Sequence, residues 1–148
     1  MNRNETKTIP KATTTAKLMR MLEASPKRFY EQYLPTVRDI SFHTYLKNLI
    51  VKQKCSNAEL MREAFISKTY LYQVLNGERL PGRDIVLRMA YALKLSVEET
   101  QRLLTLAGKG VLYPKIRRDA AILFCLQKKM SIDEANAFLE NLGEVTLL

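Results

Sequence analysis

Between Lys68 and Asn76 the chain gathers hydrogen-bonding side chains on one side of a helical period. Leu71, Val74 and Leu75 share a face, which leaves Lys68, Thr69, Tyr72, Gln73 and Asn76 pointing outward. A glutamine amide can bond adenine through two atoms, a lysine ammonium can reach guanine acceptors, and a threonine can touch a thymine methyl. The same residue types are also ordinary solvated positions on any helix. Their meaning therefore depends on the frame that carries them.

Other chemistry has little to work with. The only histidine is His43, and Cys55 and Cys125 stand seventy residues apart, with no paired-cysteine or paired-histidine spacing. Neither an activated nucleophile nor a pair of carboxylates is visible, so no metal, no cofactor and no catalysis are expected. Cys125 lies in the apolar run Ala120–Leu126 and reads as a core residue, and His43 as a surface or helix-start residue. Residues Met1 to Thr8 are polar, and that apolar run is far short of the ~20 residues a spanning helix needs. A soluble cytoplasmic protein with reduced thiols and no membrane contact is expected.

The net charge of +9 is unevenly placed. Residues 1–110 carry 19 Lys and Arg against 10 Asp and Glu, whereas residues 111–148 carry five of each. A basic first part points to an anionic partner for that part alone.

The positioning elements are helices, each with its own punctuation. Residues 1–12 read as a disordered arm, followed by a short helix over Ala16–Leu22. Ser25-Pro26 then opens a second one, which carries Phe29, Tyr33 and Leu34 and must stop before Pro35. Phe42, Tyr45, Leu46, Leu49 and Ile50 follow an amphipathic period. Ser56 with Glu59, and Ser96 with Glu99, form capping boxes. A helix opening at Ser67 closes at Asn76-Gly77, another opens at Pro81-Gly82, and the one begun at Ser96 ends at Gly108. Five short helices thus account for residues 41–108.

The tail repeats the end of that series. Arg83–Gly108 aligns without gaps on Arg118–Gly143, with seven identities in 26 positions. Shared punctuation of capped hairpins explains such a match as well as duplication does; either way, two successive αα-hairpins are expected. On the second, Ile116, Ala120, Leu123 and Phe124 form one expected apolar face, and Ile132, Ala135, Phe138, Leu139 and Leu142 the other.

Residues 41–108 resemble the Cro and phage-repressor type of helix-turn-helix regulator. Leu60, Ala64, Ile66, Leu71 and Val74 sit where that family keeps buried positions, Ser67 caps the second helix of the pair, and Asn76-Gly77 ends it. The resemblance implies an all-α, lambda-repressor-like five-helix DNA-binding domain over residues 41–110. Residues 1–40 would form an N-terminal helical arm, and residues 111–148 a C-terminal αα-hairpin that the domain can fold without. It also implies sequence-specific binding of double-stranded DNA by a bacterial or phage transcriptional regulator. The family's base-contacting positions fall on Lys68, Thr69 and Gln73, with Tyr72 beside them. Asn76, Arg79 and Arg83 fall in the segment that grips phosphates. A homodimer is expected, because one short helix reads few bases.

Two residues depart from the family pattern. Phe65 stands at the turn where glycine usually supplies a left-handed backbone, and Met61 where a small residue is usual. An aromatic ring is a poor choice for a solvent-facing turn, so the Phe65 ring is expected in the core. These departures and the neutral tail give the alternative: a non-catalytic adaptor that holds a protein partner through the C-terminal hairpin.

Overall fold

The computed structural model describes residues 14–34 and 39–148, and the regular structure among them is all helical. The arm expected over residues 1–12 lies outside the described residues. The chain divides into two compact units, Met1–Asp39 and Ile40–Leu148. Residues 111–148, expected as a separable hairpin, are therefore part of the second unit.

In the first unit, α1 (Thr15–Ala24) is capped by Thr14, whose hydroxyl accepts from the Lys17 N–H at 3.1 Å. Next comes α2 (Pro26–Gln32), with proline at the first position, where its missing N–H costs nothing. Ser25 precedes it as expected, but its side chain makes no capping bond. Neither helix holds a buried residue.

The second unit holds α3 (Phe42–Lys52), α4 (Asn57–Ala64), α5 (Lys68–Leu75), α6 (Arg83–Ala92), α7 (Val97–Leu106), α8 (Arg117–Gln127) and α9 (Ile132–Asn141). Ser41, Ser56, Ser67, Ser96 and Ser131 each accept a backbone N–H three residues on. Each such cap contributes about 1 kcal/mol. The full capping box closes at Ser96–Glu99 and at Ser131–Glu134. At Ser56 the cap is one-sided: its hydroxyl accepts the Glu59 N–H, but the Glu59 carboxylate makes no return bond to the Ser56 N–H. Burial and that carboxylate together push the Cys55 thiol up. Lys54, Lys94 and Lys129 end α3, α6 and α8 in the left-handed region, at φ of 52°, 54° and 56°.

One apolar core runs through the whole unit, from Phe42, Leu46 and Leu60 to Ile122, Leu139 and Leu147. Within it α4 packs on α6, and α3 on α5 and α7, while α8 pairs with α9. The inward face of α8 differs from the one expected. Asp119, Ala121, Ile122, Cys125 and Leu126 are buried, whereas Ile116 and Phe124 are exposed. The run Ala120–Leu126 is apolar all round the helix, so its period selects no stripe.

A pair of crossed ion pairs joins the start of α8 to the start of α6. Arg83 holds the Asp119 carboxylate through both Nη atoms, at 2.9 and 2.8 Å, and Arg118 holds Asp84 the same way, at 3.0 and 3.1 Å. Arg83 also donates to the Gly110 and Val111 carbonyls, and Arg118 to those of Val145 and Thr146. Every partner is displaced by the same 35 residues. Residue i of one hairpin meets j of the other and j meets i, the mark of a two-fold relation. The helix contacts agree, since α6 meets α9 and α7 meets α8. The α6–α7 and α8–α9 hairpins therefore clasp each other like two subunits of a symmetric pair.

Candidate nucleic-acid interface

The bihelical unit is built from α4, the turn Phe65–Ser67 and α5. Leu71, Val74 and Leu75 bury one face of α5 against the core. On the opposite face Lys68, Thr69, Tyr72 and Asn76 are exposed and Gln73 is half-buried. The side chains of Thr69, Gln73 and Asn76 make no hydrogen bond to any described residue. The Lys68 ammonium lies 5.8 Å from the centre of the Tyr72 ring, one helical turn on. These five residues, expected together, do come together on one surface.

The basic residues beyond α5 separate. Arg79 is exposed, with its guanidinium 5.0 Å from the centre of the Tyr70 ring in the first turn of α5. Arg83, expected at a phosphate, is the hairpin clasp residue: its guanidinium is bound to Asp119, Gly110 and Val111. Burial alone would raise the Asp119 carboxyl. Hydrogen bonds from Arg83 and from the Tyr113 N–H outweigh burial and hold it below the usual carboxylate range.

The turn is left-handed at Phe65, with φ 55°, as its position in the motif demands. Its ring is 53% exposed, which corrects the expectation of a core residue. The adjoining Ile66 and Met61 pack on the core instead. At the other end of α5, Gly77 has φ +78°, and a Cβ there would lie 2.8 Å from the His43 ring. His43, second residue of α3, thus lies against the end of α5, and a side chain at 77 would have to displace its ring as well as take a left-handed backbone.

Arg88 was not singled out in the sequence. From α6 its Nε donates to the Ala64 carbonyl at 2.9 Å, at the last turn of α4, and its Nη1 to the Leu147 carbonyl at 3.2 Å. A cation there complements the negative end of the α4 dipole. One signal was available: in the repeat Arg88 stands where the second hairpin has Leu123, an arginine on an otherwise apolar stripe.

No family model matches the chain, and neither do any curated protein or solved structure. Among the described residues no helix is long and apolar enough to cross a membrane.

Proposed function

We propose that the second unit binds double-stranded DNA sequence-specifically, as a non-catalytic transcriptional regulator of the lambda-repressor-like five-helix kind. In this reading α3–α7 form the DNA-binding frame and α5 enters the major groove N-terminus first. Lys68, Thr69, Tyr72 and Gln73 then meet base edges, while Asn76 and Arg79 meet phosphates. Arg83 leaves the phosphate set because it holds the hairpins together. The observation that carries the reading is the outer face of α5. It presents unengaged amide and hydroxyl groups on a helix whose other side is fully packed.

Selection of duplexes from a random pool tests it, followed by titration in rising salt. Binding should fall steeply with salt as counterions are released. Gln73→Ala should cost about 1–3 kcal/mol on the enriched duplex and far less on a scrambled one, whereas Arg79→Ala should weaken both alike. No enrichment by the wild-type protein would end the reading. A homodimer on DNA is part of the proposal, since two half-sites supply the specificity one short helix lacks.

The adaptor reading draws on a different observation. Phe124, 40% exposed, stacks at 5.2 Å on the half-buried Phe138 of the second hairpin, in a segment without net charge. Co-purification of a stoichiometric protein partner, lost in Phe124→Asp, is the result that would favour it.

A further inference from the structure

The two hairpins treat one equivalent carbonyl differently, and the difference reaches the helix-turn-helix. In the first hairpin Gln101 of α7 grips Leu112 at both polar atoms. Its Oε1 accepts the Leu112 N–H at 2.7 Å and its Nε2 donates to the Leu112 carbonyl at 2.8 Å. The residues 35 places on are Asn136 and Leu147. Asn136 is shorter by one methylene; its Oδ1 accepts the Leu147 N–H at 2.8 Å, and the Leu147 carbonyl goes to Arg88. Arg88 in turn holds the Ala64 carbonyl, next to the left-handed Phe65. Leu147 is buried, and the segment before it is held by Arg118 at Val145 and Thr146.

We infer that Arg88 is a positioning residue for the recognition surface, tying residues 145–147 to the turn between α4 and α5. Two carbonyls, one in each segment, share a single planar guanidinium whose donors are fixed relative to one another. Displacing the 145–147 segment therefore removes one anchor of Arg88 and weakens its hold on the last carbonyl of α4. The entry of the chain into α5 loosens as a result. In its DNA readout the inference rests on the proposed function; in its exchange readout it does not.

Amide hydrogen exchange on the full chain tests the bridge without DNA. The reporters are the N–H groups of Phe65 and Ile66, both bonded to the Met61 carbonyl, and of Tyr70, bonded to Ser67. Arg88→Leu should speed them by about ten-fold beyond any change at the Leu103 and Leu104 amides of α7. Asn136→Gln, which copies Gln101, should capture the Leu147 carbonyl from Arg88. It should speed the same reporters by about three-fold while leaving the thermal midpoint in place. Arg88→Lys keeps the charge but not the fork, and should follow Arg88→Leu. Unchanged reporters in Arg88→Leu, an equal rise in α7, or a wild-type pattern in Arg88→Lys would each overturn the bridge.

The DNA readout uses the duplex that the wild-type protein enriches from a random pool. Asn136→Gln should bind it about three-fold more weakly and bind a scrambled duplex equally well. Equal losses on both would overturn the link to recognition. Failure of the wild-type protein to enrich any duplex would remove the DNA reading, and exchange alone would then decide the bridge.

Discussion

The two hairpins share their punctuation and their clasp, yet they live in different surroundings. In the first, Met89 and Leu103 are fully buried beneath the helices that precede it. At the equivalent places the second has Phe124, which is exposed, and Phe138, which is half-buried, stacked on each other, and in the place of Leu93 it has Lys128, which is exposed. The carboxylates differ as well. Asp119 is buried and also accepts the Tyr113 N–H, whereas Asp84 is 43% exposed. One local design is thus used once as the centre of a core and once as its outer wall. Symmetry fixes which groups meet, and burial decides what each meeting is worth.

The largest test of that comparison is removal of one half. Deleting residues 111–148 uncovers Arg83 and strips Leu112, Ile122, Leu126, Leu139 and Leu147 from the core. Burial on that scale is large against a marginal stability of about 5–15 kcal/mol. Residues 40–110 should lose cooperative unfolding in a calorimetric scan. A sharp transition in the truncated chain would return the boundary to residue 110, where the resemblance put it.

Next come the carboxylates. Asp119→Ala leaves Arg83 half-buried without its partner and should cost on the order of 3 kcal/mol. Asp84→Ala also leaves a half-buried arginine, Arg118, but removes a carboxylate that is 43% exposed and orphans no backbone N–H as Asp119→Ala does at Tyr113. It should therefore cost less, about 1–2 kcal/mol. Urea melts of the two variants compare them directly, and equal losses would mean that burial does not set the difference. Acid sharpens the point. The Asp119 carboxyl lies below its unfolded value of about 3.9, so its contribution is fully present above that pH. It fades as pH falls from there through the lowered native value. Asp119→Ala should therefore flatten the stability profile of the wild-type protein below about pH 4, and an unchanged slope would refute the assignment.

The smallest effects lie at the left-handed residues. Lys94 and Lys129 are equivalent, with φ of 54° and 56°, so glycine at either should stabilise by a similar amount, about 0.5–1 kcal/mol. Phe65→Gly should gain about the same, because the exposed ring gives up little packing. Thermal melts measure all three. A stabilised Lys94→Gly beside a destabilised Lys129→Gly would break the equivalence of the hairpins.

Much of the frame was legible because helix ends are local chemistry. Ser67, Gly77, Gly108 and the Ser96–Glu99 capping box act over three or four residues, and a linear sequence displays that range directly, although the box expected at Ser56 closes on one side only. The outward set Lys68, Thr69, Tyr72, Gln73 and Asn76 was legible for the same reason, since Leu71 and Val74 fix the rotation of α5. What failed depended on distance in the chain. Arg83 looks like any exposed basic residue until Asp119, 36 positions on, is placed beside it. The repeated Arg-Asp pair was visible, but that each arginine would take the other pair's aspartate follows only from a two-fold relation. Phe65 misled because its backbone is set by the turn, while its ring is set by what packs nearby.

The crossed clasp has one more consequence, for how little intrinsic attraction the hairpins need. As separate molecules they would have to overcome the loss of translational and rotational freedom on pairing. Residues 109–116 join them and replace that bimolecular step by an internal one, at an effective concentration on the order of millimolar. The ion pairs and the shared apolar core therefore act without that cost, and the clasp stays closed at any protein concentration. A short tether of this kind lets one clasped arrangement hold Met89 in one hairpin and Phe124 in the other, or Gln101 in one and Asn136 in the other.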